Sequence, residues 1–259
     1  MAKPVSREIY DKEYFLKHRG GSSEFLRSKG KELYETHKFA LKIADLNADD
    51  VVLDLGCGCG EVALNAAPLV KSVLAVDYSE AAIELALDAK KYFNAEVQEK
   101  VTFVNLDFSR YSFPDNFFDA VFLLDVIEHL TPHHTLLVLS GIHKSLKASG
   151  RLIVHTWPNR WHRQLTYPIA YYIGKISGKP RPRDPRTLHE KLMHVNEQSP
   201  HKLRINLKEA GFDPEIFLRH HKTGTDSIRH LFYDLIHSVS PFKWVFCDQI
   251  WAIGRKDHL

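Results

Sequence analysis

The sequence is poor in cysteine, with Cys57, Cys59 and Cys247 the only three among 259 residues. That excludes a multi-bridge disulfide framework. With no Cys-x-x-Cys pair, a thiolate zinc site is excluded as well. Cys57 and Cys59 lie two apart, a poor geometry for a mutual bridge, so reduced thiols in a cytoplasmic setting are expected. Long apolar runs are also missing. The greasiest stretch, Leu165 to Ile176, is interrupted by Pro168 and Gly174 and falls short of the roughly 18 apolar residues of a membrane span. The opening stretch Met1 to Tyr10 lacks the apolar run of a secretory signal. Charge of one sign is not in excess either: 35 Lys and Arg face 32 Asp and Glu, which excludes a histone-like or polyacidic chain. No repeat, coiled coil or low-complexity tract occurs.

What is present is an alternation of apolar runs and helical patterns. Residues 1–50 are aromatic and helical in texture, with Tyr10, Tyr14 and Phe15 followed by Gly20-Gly21-Ser22-Ser23. Ser22 or Ser23 is placed to cap a helix running to about Leu46. From Val51 the texture changes to short β-branched runs: Val51 to Leu55, Ser72 to Val76, Val101 to Val104, Ala120 to Leu124 and Arg151 to His155. Helical patterns separate them, opened by Ser79 and by Thr131-Pro132. Two further strands are read at Glu215 to Leu218 and Gln249 to Ile253. The spacing predicts an α/β, doubly wound Rossmann-like sheet of seven strands, mostly parallel, with an antiparallel last strand and helices on both faces. Residues 1–50 form an N-terminal helical lid or cap on a domain spanning 51–259. That domain carries an inserted basic, aromatic segment at 160–193 and a second excursion at 223–244.

The most informative feature is Val51-Val52-Leu53-Asp54-Leu55-Gly56-Cys57-Gly58-Cys59-Gly60. Glycines between a strand and a helix let a ligand approach the backbone. A dinucleotide fingerprint needs Gly-x-Gly-x-x-Gly, but its third position here is Glu61, and Asp54 would repel a pyrophosphate. A cationic, phosphate-free ligand fits better. The segment resembles the first motif of the class I S-adenosylmethionine-dependent methyltransferases, through Asp54, Gly56, Gly58 and Gly60, with Cys57 inside the loop. The resemblance implies S-adenosyl-L-methionine as cofactor. It further implies that Asp77 holds the ribose and Tyr78 packs beside the adenine. Asp107-Phe108 lies where the family places an acid for the adenine amino group, and Asp125 faces the methionine end. The segments Asp125-Val126-Ile127-Glu128-His129 and Thr156-Trp157-Pro158-Asn159 look like a broad group that includes ubiquinone-biosynthesis O-methyltransferases and bacterial methyltransferases acting on small molecules or glycans.

A sulfonium is already a reactive methyl donor, so the protein has mainly to align an acceptor; a hydroxyl acceptor also gains from a base. His129 is the candidate general base, since its ordinary pKa lies near neutrality; a loop-orienting role is the alternative. Glu128, His129 and His133 match no standard metal-ligand spacing, and no metal is expected. Between Arg160 and Lys191 eight basic residues face Asp184 and Glu190, so this segment is +6 and the rest of the chain −3. Arg160, Arg181 and Arg183, with Tyr14, Trp157 and Tyr171, are the candidate acceptor contacts beside His129. They suit a small-molecule, glycan or lipid-linked acceptor that is anionic, and residues 160–186 suit peripheral membrane contact. A DNA-methylating Pro-Pro-aromatic run and a Pro-Cys nucleophile are both missing, which argues against nucleic acid. Competing readings are a nicotinamide- or nucleotide-binding oxidoreductase or epimerase and a non-catalytic cofactor-binding subunit.

Overall fold

The computed structural model describes residues 5–220 and 242–256. Seven strands make one sheet: β1 (Val51–Leu55), β2 (Ser72–Asp77), β3 (Val101–Asn105), β4 (Phe118–Leu124), β5 (Leu146–Thr156), β6 (Phe212–Arg219) and β7 (Gln249–Lys256). Their spatial order is β3-β2-β1-β4-β5-β7-β6. The first five run parallel, and β7 is antiparallel to both its neighbours, β5 and β6, as the sequence pattern implies.

The β-branched runs are buried on both faces, as a parallel sheet demands. Along β4, Ala120, Phe122 and Leu124 pack into one cluster while Val121 and Leu123 pack into the other, the two-residue alternation of a strand. The first cluster takes in the helices α2 (Glu35–Ala44), α3 (Glu61–Ala66) and α4 (Glu80–Lys90). The second takes in α6 (Pro132–Ser145) and α9 (Pro200–Glu209). Capping follows the sequence: Ser79 Oγ accepts from Ala82 N, and Thr131 Oγ1 from His134 N ahead of Pro132. A short helix α5 (Ala95–Lys100), capped by Asn94, adds an element that no sequence signal indicated.

The first fifty residues depart from expectation. The single helix is broken into α1 (Ser22–Ser28) and α2, and neither Ser22 nor Ser23 caps it; Gly21, at φ 80°, holds that place. The break falls at Lys29 (φ 54°) and Gly30 (φ 84°). It is fixed by α3, whose Asn65 Nδ2 donates to Gly30 O at 2.7 Å.

The 160–193 segment is ordered. It contains α7 (Tyr167–Ile176) and α8 (Leu188–Met193), the latter opened by a capping box between Thr187 and Glu190. Glu197 accepts from Arg163 at 2.6 Å and from Arg186 at 3.0 Å, so two of the eight basic residues hold the excursion to the body. Of the second excursion, 223–241 lies outside the described residues.

Candidate active site

In a doubly wound sheet the ligand crevice opens where strand order reverses. Here β1 leads to β2 and β3 on one side and β4 leads to β5 on the other, so the crevice lies at the carboxyl ends of β1 and β4. A cavity of about 1380 Å³ occupies it. Single-ligand sites usually measure ~300–1,000 Å³, so there is room for a cofactor together with an acceptor.

The glycine loop forms one wall. Gly56 N and Cys57 N both donate to Val76 O, at 2.8 and 3.1 Å, tying the loop to β2. Gly58, at φ 52°, faces the cavity, and a Cβ there would meet nothing nearer than the Phe15 ring at 3.7 Å. Gly60 does a different job from the one the motif suggested. It lies outside the cavity lining, and a Cβ on it would fall 2.5 Å from the Phe103 ring. It permits close helix–sheet packing. The thiols of Cys57 and Cys59 are buried, which raises the pKa of both, that of Cys59 to about 12, so neither is a nucleophile.

Four strand ends bring carboxylates to the cavity: Asp54, Asp77, Asp107 and Asp125 all line it, with Tyr78 and Phe108. Asp77 is held by Gly58 N at 3.0 Å and Ser79 N at 2.9 Å, which leaves lone pairs of both oxygens for a ligand. Burial pushes it up to about 6. Asp54 is pushed up to about 7 by burial and then by the charges of Asp77 and Glu61, and its Oδ2 has no partner. Asp107 accepts from Ser109 N and Oγ on its Oδ1, at 3.2 and 2.6 Å, and its Oδ2 lies 3.5 Å from Arg110 Nε.

Asp125 stands at φ 54°, a strained position for a residue with a Cβ, with Nδ1 of His155 2.8 Å from its Oδ1. Burial would raise it, but His155, then His37 and His129, outweigh that and hold it below the usual carboxylate value. Next to it Glu128 is fully buried and raised well above its ordinary value by burial and by Asp125. Burial lowers His129 to about 4 and His194 to about 3, so both imidazoles are neutral near pH 7.

The N-terminal segment forms the opposite wall. Tyr10 packs edge-on against Tyr78 at 5.2 Å and His129 at 5.9 Å, and Ser79 Oγ donates to Tyr10 O at 2.7 Å. Arg19 Nη2 reaches Glu61 Oε1 at 2.5 Å, with both side chains at most a tenth exposed. Among the acceptor candidates, Tyr14, Trp157, His129 and Arg181 line the cavity, while Arg160, Tyr171 and Arg183 do not. Arg160 is exposed and bonds Gln164. On α7 it is Tyr167, Ile169 and Ile173 that face the cavity instead of Tyr171. Sequence reading missed His155, His194 and Arg19; the one signal was a histidine ending the otherwise apolar fifth strand.

Residues 52–150 match the family model described as a methyltransferase domain. The ubiquinone/menaquinone biosynthesis C-methyltransferase UbiE of Pseudomonas fluorescens (strain Pf0-1) is 27% identical over 186 residues, covering 68% of this chain and 70% of that protein. A chain of the Haloferax volcanii complex between the Trm112 methyltransferase activator and a methyltransferase superposes with a TM-score of 0.64 at 16% identity, covering 98% and 100% of the two chains. Phosphoethanolamine N-methyltransferase 2 of Haemonchus contortus, solved with phosphomonomethylethanolamine and S-adenosylhomocysteine, superposes at 0.63 and 17% identity, covering 96% of this chain and 60% of its own. At these identities the two structures speak to the fold alone. Motif and comparisons agree: residues 52–150 carry a methyltransferase domain, and the chain is similar to the class I S-adenosylmethionine-dependent methyltransferases. S-adenosyl-L-methionine is its cofactor.

The acid-rich wall fits that cofactor. Without ligand, Asp54 and Asp77 keep protons that an unfolded chain releases above about pH 4, so their contribution to stability falls as pH rises toward about 7. A cation favours the ionised forms. S-adenosylmethionine affinity should therefore rise between about pH 5 and 8, by up to about tenfold per unit for each proton released. S-adenosylhomocysteine, without the sulfonium charge, should show the shallower slope. Calorimetry across this range checks it, and equal slopes would contradict pairing with the sulfonium.

Proposed function

We propose that the methyl group goes to an oxygen of an anionic, partly apolar acceptor drawn from a lipid surface. One observation carries this: Ile169 and Ile173 line the cavity and yet are 56% and 60% exposed, so the mouth is rimmed by apolar side chains. They belong to a stripe that begins in the helical turn His162–Thr166 and continues along α7. Leu165, Ile169, Tyr172, Ile173 and Ile176 recur at helical spacing and are all exposed, Ile176 to 88%. Lys175, Lys179, Arg181 and Arg183 flank the stripe, the composition of a helix lying in an anionic interface. Lys179 and Arg181 also line the cavity, where a phosphate or carboxylate can meet them. Among the described residues no helix is long and apolar enough to cross a membrane. The contact is peripheral, on the cytoplasmic face that three free thiols suit.

When bound, S-adenosylmethionine supplies an electrophilic methyl on sulfur. The chain's own residues do the rest. Asp77 and Asp54 hold the cationic ligand, Tyr10, Tyr14 and Phe15 cover it from water as a lid, and Trp157 and Tyr14 flank the acceptor. His129, neutral near pH 7, takes the acceptor proton. A C-directed transfer is the second reading, favoured by the C-methyltransferase name of the UbiE relative.

Labelled methyl transfer from S-adenosylmethionine into a cell extract tests this. Label should enter the organic phase of a solvent partition, as a methyl ether or ester, and Ile173→Glu should reduce it. Label confined to the aqueous phase would sink the lipid-surface reading, and a methyl on carbon would decide for the second.

A further inference from the structure

We infer that Glu128, His129 and His194 form a binding site for one divalent transition-metal ion, Zn²⁺ by its donor set, at the acceptor end of the cavity. One ligand atom from each of the three lies within 4.8 Å of the others. Two remote segments bring them together. Glu128 and His129 sit in the turn between β4 and α6, and His194 follows α8. Asn196 fastens the second segment to the first: its N donates to Glu128 O at 2.9 Å and its Nδ2 to Thr135 Oγ1 at 2.9 Å.

Three observations point to an ion and away from a plain polar cluster. The Nδ1 atoms of His129 and His194 are both buried with no hydrogen-bond partner, a costly condition for a polar atom that metal ligation relieves. The rings meet edge to face at 5.0 Å, without a hydrogen bond between them. Glu128 is buried at 1% exposure, and among the described residues no Lys or Arg pairs with it. The nearby Arg163 and Arg186 are taken by Glu197. A buried carboxylate demands a countercharge or a proton.

The surroundings are those of a ligand set. Thr156 Oγ1 donates to Glu128 Oε2 at 2.9 Å and Trp157 N to Oε1 at 3.3 Å, orienting the carboxylate as outer partners of metal ligands do. Two imidazoles and one carboxylate are the donors of open catalytic zinc sites, with the fourth tetrahedral position left free. Bonds of about 2.0–2.1 Å set the donors roughly 3.4 Å apart, closer than the 4.8 Å within which they lie here, so the three side chains would close in on the ion. The free position faces the cavity that Asp125 and Trp157 also line. An ion there would hold an acceptor oxygen and favour its deprotonated form, taking over the task given above to His129, whose imidazole would then be a ligand and not the base. That use rests on the oxygen-directed reading above; the binding of the ion does not.

Titration of the full chain with Zn²⁺, followed by calorimetry, and with Co²⁺, followed by visible absorption, tests the site without any acceptor. One ion per chain and the intense bands of tetrahedral Co²⁺ are expected. Affinity should fall at least about hundredfold in His194→Ala and His129→Ala and about tenfold or more in Glu128→Gln, consistent with losing a ligand. The exposed His133→Ala should leave it unchanged. S-adenosylhomocysteine binding by each variant reports folding, and His194→Asn decides if His194→Ala fails that check. No stoichiometric ion, or unaltered affinity in a folded His194 variant, overturns the site while leaving the methyltransferase reading intact.

Discussion

Replacing Arg19 with alanine is expected to cost about 3–5 kcal/mol of folding stability, the range for removing one partner of a buried ion pair. Arg19 does three jobs at once. Its Nη2 meets Glu61 Oε1 at 2.5 Å, its Nε donates to Phe15 O at 3.0 Å, and its guanidinium lies over the Phe25 ring. Glu61 opens α3 directly after Gly60, and it is only 4% exposed. Without Arg19 that carboxylate is left uncompensated against the glycine loop. Urea unfolding measures the loss. The double variant Arg19→Met with Glu61→Leu should recover most of it, because replacing both partners of a buried pair by apolar groups is often close to neutral. Cofactor affinity should fall in the single variant too, since Phe15 and Tyr14 are carried on the segment that Arg19 anchors. A loss below about 1 kcal/mol, the value of an exposed pair, would mean that this segment is not part of the folded body.

Asp77→Ala is expected to weaken S-adenosylmethionine binding at least about hundredfold, because hydrogen bonds to a charged group are worth about 1.5–3 kcal/mol each and a ribose diol would lose two. The carboxylate is only 6% exposed and is aimed by two backbone amides of the loops beside it. Its loss also frees Gly58, so loop order and ligand contact go together. Asp77→Asn, which keeps one acceptor oxygen, should lose less. Arg160→Ala, on a side chain outside the cavity, should change affinity less than twofold. Calorimetry of the three variants orders them, and an Asp77→Ala protein that binds as wild type would remove Asp77 from the site.

What could be read from the sequence was local. The apolar runs Val51 to Leu55 and Ala120 to Leu124 announce buried parallel strands because both faces of such a strand are covered. The strand-end acids fall on one edge because parallel strands all finish there. Ser79 and Thr131-Pro132 mark helix starts through their own hydrogen bonds. What escaped was long-range. Arg19 and Glu61 are 42 positions apart, and His194 meets His129 only because Asn196 bonds to the turn holding Glu128. The chain breaks at Lys29-Gly30 because Asn65 of another helix binds the bend. Helix phase explains the exchange of Tyr171 for Tyr167: α7 has apolar residues on most of its surface, so periodicity alone does not select the face that turns to the cavity. Gly60 fits its motif position for a packing reason that only the Phe103 ring makes visible.

Calorimetric titration of the purified chain with S-adenosylhomocysteine and, separately, with NAD addresses the central claim most directly. One equivalent of S-adenosylhomocysteine bound, with the affinity lost in Asp77→Ala and no heat from NAD, is the predicted result. Tight NAD binding with no response to S-adenosylhomocysteine would contradict it.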